Sequence, residues 1–296
     1  MTTTEARVRP EDAPFAPLDW VLLISAASIW GASFLFMAIG LDAFEPGVVT
    51  FLRIGFGTAT LAALPAARQP IDRADRGRVA LLGFTWMAFP LTLFPIAQQW
   101  IDSSMAGMLN SAMPVMTVLV TWLVFATPTG PRRLFGVVVG VGGVLLIGLP
   151  EASTDDTNAV GVLLVVIAVG SYGVAVNLAG PLQQRYGSLP VTARALAYAM
   201  PMVVPYALWG VPDSSLEAGP LLACFVLGAG GTGAAFVFAT TLTGRVGAVR
   251  TSIVTYIVPV VSVVLGVGFR DEQVTIWAVL GTAVVLIGAW ISSRTG

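Results

Sequence analysis

GMLNSAMPVMTVLVTWLV, Gly107 to Val124, is an apolar run of helix length that carries one proline and a stripe of small and polar residues. Ala106, Asn110, Pro114, Thr117 and Thr121 follow the i, i+4, i+7/8 spacing of a single helical face. A shift of 145 residues carries that face onto Thr251, Thr255, Pro259, Ser262 and Gly266. The same shift pairs Val115 with Val260, Val118 with Val263, Gly136 with Gly281, Val139 with Val284 and Gly143 with Gly288, so the chain reads as two related halves. A proline inside a helix lacks one donor, and its ring crowds the carbonyl four residues back, here that of Asn110 or Thr255. A weakened, polar turn in the middle of an apolar helix is therefore expected twice, with Pro114 and Pro259 as hinge or gating positions.

Outward from this stretch, composition sets the class. Of 296 residues, 56% are hydrophobic and only 10% charged, and the mean hydropathy is +0.86. That is too apolar for an ordinary water-soluble domain and points to an integral membrane protein with the lipid bilayer as its solvent. There is no His, and Cys224 is the single cysteine, so a His-based triad, a His/Cys zinc site and an internal disulfide are excluded. All fifteen basic residues are Arg, which removes lysine Schiff-base chemistry. No enzyme activity, metal or cofactor is expected, and a net charge of −1 gives no reason to expect a nucleic-acid partner.

Runs of about 20 apolar residues, the length that crosses a bilayer core, recur ten times. They lie at roughly 18–40, 47–66, 79–100, 103–125, 133–150, 159–180, 190–209, 219–241, 246–268 and 274–292. Residues 1–17 mix Arg, acids and prolines without the apolar core of a cleavable signal, and read as a short cytoplasmic tail. This leaves 18–150 and 159–293 as two five-span repeats. Short cytoplasmic loops carry an excess of Arg. On an alternating path, one side receives Arg7, Arg9, Arg68, Arg73, Arg76, Arg78, Arg132, Arg133, Arg185, Arg245, Arg250 and Arg294. The other side receives Arg270 and collects Asp42, Glu45, Asp102, Glu151, Asp155, Asp156, Asp213, Glu217, Asp271 and Glu272. Both termini are therefore expected on the cytoplasmic face of the cell membrane. Five spans per half make the second half enter from the opposite side. The expected fold is all-α: ten transmembrane helices as two inverted five-helix repeats around a central cavity, an arrangement of transporters.

Within this frame, WGASF at Trp30 to Phe34, FLRIGFG at Phe51 to Gly57, MPV at Met113 to Val115 and VPV at Val258 to Val260 resemble the EamA family of the drug/metabolite transporter superfamily. The resemblance covers essentially the whole chain. It implies ten helices around a central cavity and transport, usually export, of small metabolites such as amino acids; relatives also move nucleosides, sugars or toxic cations. One departure is visible. Members often carry an acidic residue just after the fourth span, where this chain reads ATPTGPRR from Ala126, whereas the second half keeps Asp271 and Glu272.

Polar groups deep in lipid are expensive, so those in mid-span are expected to face the bundle or a water-filled cavity. In the first span Trp30 and Ser33 lie deeper than the interfacial belt, where a ring can stack on a planar substrate or receive a cation; plain packing is the competing reading. Arg53 in the second span is suited to bidentate binding of a substrate carboxylate, against snorkelling or pairing with Asp42 or Glu45. Arg194, near the cytoplasmic end of the seventh span, is read as snorkelling. The third span has Trp86, Pro90, Phe94, Pro95, Gln98 and Gln99, with Pro90, Phe94 and Gln98 on one face. That face resembles a cavity wall with a hinge, an aromatic and an amide, although interfacial hydration also accounts for Gln98. The sixth span offers Ser171, Tyr172 and Asn177, and Tyr172 aligns with Trp30 at a shift of 142. Asn110 and Thr255 are the polar residues beside the two helix-centre prolines. GAGGTGAAF from Gly228 is read chiefly as a close-packing face, and the glycines at 136, 140, 143, 281 and 288 as helix packing within one chain or between two.

The candidate substrate site is therefore Trp30, Ser33, Arg53, Trp86, Phe94, Gln98, Asn110, Tyr172, Asn177 and Thr255, with Pro90, Pro95, Pro114 and Pro259 as hinges. The expected partner is a small-molecule substrate, in a monomer or homodimer. The reading favoured is a metabolite carrier, foremost an amino-acid exporter for aromatic or neutral amino acids, working by alternating access. No Asp or Glu lies in the centre of a span, so transport is expected to run down the substrate gradient or by exchange, without a buried carboxylate relay. The rivals are efflux of hydrophobic or cationic compounds and, in a different class, an intramembrane receptor or scaffold.

Overall fold

In hydrocarbon every backbone N–H and C=O must find its partner inside the protein, and a helix achieves this within one segment. The computed structural model describes residues 15–152 and 156–293; among these it is helical, without strands. Residues 1–14 of the expected tail, with Arg7 and Arg9, lie outside the described residues, as do Asp155 and Arg294. In chain order the helices are α1 (Pro17–Leu41), α2 (Pro46–Ala62), α3 (Arg76–Leu82), α4 (Phe89–Ala97), α5 (Ser103–Asn110), α6 (Met113–Leu123), α7 (Pro131–Ala152) and α8 (Asp156–Tyr186). They continue as α9 (Ser188–Gly210), α10 (Ala218–Phe225), α11 (Ala235–Val246), α12 (Ala248–Thr251), α13 (Val254–Arg270) and α14 (Ile276–Ser293). Wide π-helical turns, Gly83–Ala88 and Val226–Ala234, join α3 to α4 and α10 to α11.

Each of the ten apolar runs falls on helix, but they differ in kind. Among the described residues, seven helices are long and apolar enough to cross a membrane, and α5 with α6 makes an eighth as a pair bent by 47°. The two remaining runs hold α2 and α13, each of 17 residues. Leu18, Trp20, Val21 and Ile24 on α1, Trp209 on α9 and Phe269 on α13 are exposed. A surface of large apolar side chains is what hydrocarbon solvates and water does not.

Because lipid is as apolar as the side chains, helices associate here through close packing and hydrogen bonds. The tightest seam joins α7 to α14. A Cβ on Gly288 would come within 2.6 Å of the Gly136 carbonyl oxygen, and one on Gly143 within 2.7 Å of that of Gly281. The glycines of the fifth and tenth runs thus pack on each other within one chain. The third run shows how prolines are accommodated. Pro95 cannot donate to the Leu91 carbonyl, and the hydroxyl of Thr50 on α2 lies 3.2 Å from that oxygen, its proton shared with Pro46 O at 2.9 Å. Just before Pro90 the helix widens into the π turn, and the Thr85 carbonyl there accepts the Ser171 hydroxyl of α8 at 2.7 Å. Neighbouring hydroxyls thus take up carbonyls that the prolines leave without a helical donor.

The two helix-centre prolines are not equivalent. Pro114 stands at the second position of α6, just past the break at Ser111 and Ala112, where a missing amide hydrogen costs nothing. Pro259 lies inside α13, and the break in its run comes earlier, at Ser252 and Ile253 between α12 and α13.

Candidate functional site

The broken and widened segments meet around one central cavity of about 170 Å³. α1 supplies Trp30, Ser33, Phe34 and Met37, and α2 supplies Arg53. The first π turn and α4 add Trp86, Met87, Leu91 and Phe94. Asn110 and Met113 stand on either side of the 47° break, and Tyr172 comes from α8. The second π turn, α11 and α13 close the wall with Thr232, Phe236, Thr255 and Val258. Both halves of the chain thus contribute.

The wall is mostly aromatic, and its rings hold one another in place. Phe236 stands edge-on to Trp30 at 5.6 Å and to Trp86 at 5.2 Å between ring centres. On α4, Phe94 meets Phe34 edge-on at 5.6 Å and stacks at 6.1 Å on Tyr172. Such geometries match the positive edge of one ring to the negative face of another. The Trp30 indole N–H donates to the Gly231 carbonyl at 3.0 Å, which fixes the ring at the cavity wall.

Arg53 is the one formal charge among the lining residues. Only 9% of it is exposed, and its Nε–H donates to Thr232 Oγ1 at 3.0 Å. Neither expected counter-ion reaches it: Asp42 is held by Arg270 in a two-bond pair at 2.6 and 3.0 Å, at the far end of α1. Among the described residues Arg53 has no carboxylate partner and makes no further side-chain hydrogen bond. Asn110 and Tyr172 likewise bring to the cavity polar side-chain groups that make no hydrogen bond among the described residues. The Thr255 hydroxyl is engaged, donating to Ser252 O at 2.6 Å.

Eight of the ten residues expected at the site line this cavity: Trp30, Ser33, Arg53, Trp86, Phe94, Asn110, Tyr172 and Thr255. Two do not. Gln98 lies one helical turn beyond Phe94, donates to the Phe34 carbonyl at 3.3 Å and lines a separate polar pocket with Asp42, Glu45 and Arg270; its Oε1 is buried without a partner. Asn177 is turned to α6, donating to Thr121 Oγ1 at 2.8 Å and to Gly173 O at 2.9 Å, and so ties two helices together. The prolines expected as hinges, Pro90, Pro95, Pro114 and Pro259, are not among the lining residues. Arg194 reaches the end of its helix, with Nη2 3.4 Å from Arg68 O. Thr232 and Phe236 also line the cavity and are not expected there from the sequence, because GAGGTGAAF reads as a packing face. It is one: a Cβ on Gly228 would come within 2.6 Å of the Arg53 carbonyl oxygen. That closeness is what brings the Thr232 hydroxyl to the Arg53 guanidinium.

The sequence profile described as the EamA-like transporter family matches residues 19–149 and 159–294. An uncharacterized transporter of Archaeoglobus fulgidus is 21% identical over 279 residues, covering 93% of this chain and 98% of that protein. A probable terminal-alkyne amino-acid exporter of Streptantibioticus cattleyicolor is 23% identical over 283 residues, covering 93% of both. In three dimensions the chain is similar to a protein of known crystal structure with a TM-score of 0.61 at 20% identity, over 93% of this chain and 96% of that one.

Proposed function

The chain belongs to the EamA-like transporter family, and on that premise we propose that it exports small metabolites, amino acids foremost, by alternating access. The proposed architecture is ten crossings in two five-helix halves of opposite orientation, 18–150 and 159–293, with both termini cytoplasmic in the cell membrane. The observation that carries the reading is the central cavity. Its polar and aromatic groups come from both halves, and it sits where α5 and α6 break and where both π turns widen the helices. Helix discontinuities around a mid-bundle site are where carriers bind and move their cargo.

The cavity size supports a metabolite over a large drug, since sites for drug-sized ligands run to about 300–1,000 Å³. Efflux of hydrophobic compounds draws support from the aromatic wall, but a cationic cargo would meet Arg53 with no acidic side chain among the lining residues. Kinship to a probable amino-acid exporter adds to the amino-acid reading.

The test is counterflow of a radiolabelled amino-acid panel in proteoliposomes. Saturable flux of one amino-acid group, reduced at least tenfold in Asn110→Ala and Trp30→Ala while both variants stay monodisperse, is the expected result. Correctly inserted protein that binds a ligand but moves none of the panel or of a wider metabolite set would favour a receptor instead.

A further inference from the structure

We infer that the cavity recognises its cargo by an apolar body and a carboxylate held on Arg53, so that among the proposed cargoes an amino acid whose amino group is acylated or absent binds more tightly than the free amino acid. The inference rests on the transport reading above and names the substrate class of the same site.

The first ground is charge. Arg53 is nine-tenths buried, and a guanidinium stays protonated under all ordinary conditions. Its Nε is used by Thr232, and among the described residues its Nη groups make no hydrogen bond and meet no carboxylate. A buried cation without a counter-ion is among the costliest arrangements in a membrane protein. A carboxylate matches the fork of N–H groups and removes that cost at the moment of binding.

The second ground is what surrounds the charge. The Tyr172 hydroxyl and the Asn110 amide are two more donors that make no hydrogen bond among the described residues, and both residues line the same cavity. No lining residue is acidic. For an ammonium the wall offers the Asn110 amide oxygen and the faces of rings, none of which carries a full negative charge. An amino acid held by its carboxylate would also keep its ammonium roughly 5 Å from the guanidinium, a distance at which like charges repel far more strongly in a dry wall than in water. An acylated or absent amino group avoids both the repulsion and the lost hydration. The body of the cargo is accommodated by the Trp30, Phe236 and Trp86 rings, which gain from the apolar area they cover.

A monoanion also responds to voltage. With one net negative charge crossing per cycle and no coupled ion, an inside-negative membrane drives the cargo outward, to a gradient of up to about fiftyfold per 100 mV.

The experiment uses the full chain in proteoliposomes with three probes that share one phenethyl skeleton: N-acetylphenylalanine, phenylalanine and phenethylamine. Empty liposomes correct for leakage, and a potassium gradient with valinomycin sets an inside-positive potential. Expected are N-acetylphenylalanine competing at least tenfold better than phenylalanine, no transport of phenethylamine, and voltage-driven accumulation of N-acetylphenylalanine. Arg53→Gln should abolish that uptake, and Arg53→Lys, which keeps the charge but not the fork, should retain a reduced fraction. Phenylalanine or phenethylamine moving while N-acetylphenylalanine does not would overturn the carboxylate inference and leave the transport reading standing. So would a well-folded Arg53→Gln that transports normally. If neither the three probes nor any metabolite of the wider panel moves, the transport reading itself is lost.

Discussion

Arg53 and Thr232 form a unit of two helices: one supplies a cation, the other the oxygen that aims it, at 3.0 Å. Thr232 is 1% exposed, so its hydroxyl is fixed by its surroundings. Thr232→Val keeps the shape and removes the acceptor, leaving Nε–H buried and unpaired. A hydrogen bond to a charged group is worth about 1.5–3 kcal/mol. The expected outcome is a lower Tm in detergent and a KM for the anionic substrate raised about tenfold, with kcat changed less, because aim rather than charge is lost. Unchanged KM and Tm would show that the pair does nothing for binding. At this scale the sequence was informative where chemistry is rare. An Arg or an Asn deep in an apolar helix is costly unless it faces a polar site, and Arg53 and Asn110 both line the cavity, as does Trp30, for which packing is the competing reading. It failed where the chemistry is common. Thr232 and Phe236 look like ordinary members of a small-residue helix, and periodicity assigns Gln98 and Asn177 to a face without fixing how far along or around the helix the cavity lies.

Among the elements, the seam between α7 and α14 is held by absence of side chains. Glycines normally weaken a helix by about 0.5–1 kcal/mol relative to Ala. At Gly288 that weakness is offset because a Cβ would meet the backbone of Gly140 and Gly136, whereas at Gly142 nothing stands within 4 Å. The two positions therefore predict opposite signs. Gly288→Ala must push two backbones apart and should cost about 1–3 kcal/mol by overpacking. Gly142→Ala meets nothing and should raise stability by about 0.5–1 kcal/mol. Thermal melts of the two variants in one detergent decide the matter, and a matching sign for both would mean that the seam is not backbone-close. The glycine pattern was legible from the sequence, but its partner was not, since spacing alone is the same for a contact within a chain and between chains. Likewise the repeat pairs Pro114 with Pro259, yet only the first stands at a 47° break. Residues around each proline, not the proline itself, decide whether the strain becomes a break or is absorbed within a helix.

Over the whole molecule, α1 carries an ion pair at each end. Asp19 binds Arg245 of α11 near its start, and Asp42 binds Arg270 of α13 just past its finish, some 23 residues or roughly 34 Å apart along the axis. The cavity lies between them, at Trp30 and Ser33 on the same helix. In the proposed orientation the first pair closes the cytoplasmic side and the second the outer side, so a carrier that alternates must loosen them in turn. The two pairs differ in burial: the Asp19 side chain is 6% exposed against 41% for Arg245, whereas the second pair is open to solvent and weak. The Asp42 and Arg270 side chains are 47% and 35% exposed, and exposed pairs contribute about 0.2–1 kcal/mol, enough to shift a two-state population by up to about fivefold. Clasps of that size bias a conformational equilibrium without locking it. The prediction follows with a sign for each end. On a Cys224→Ala background with Thr255→Cys as the reporter, Asp42→Asn should speed labelling by an impermeant maleimide from outside about two- to fivefold. Asp19→Asn should slow it by a similar factor, because the population moves toward the cytoplasm-open form. High salt should shrink the Asp42→Asn effect more than the Asp19→Asn effect, since exposed charges are screened within about 10 Å at 0.1 M and about 3 Å at 1 M, whereas the Asp19 side chain is only 6% exposed. If both substitutions speed labelling, the pairs merely hold the bundle tight, and the two ends are not alternating gates of one transport cycle.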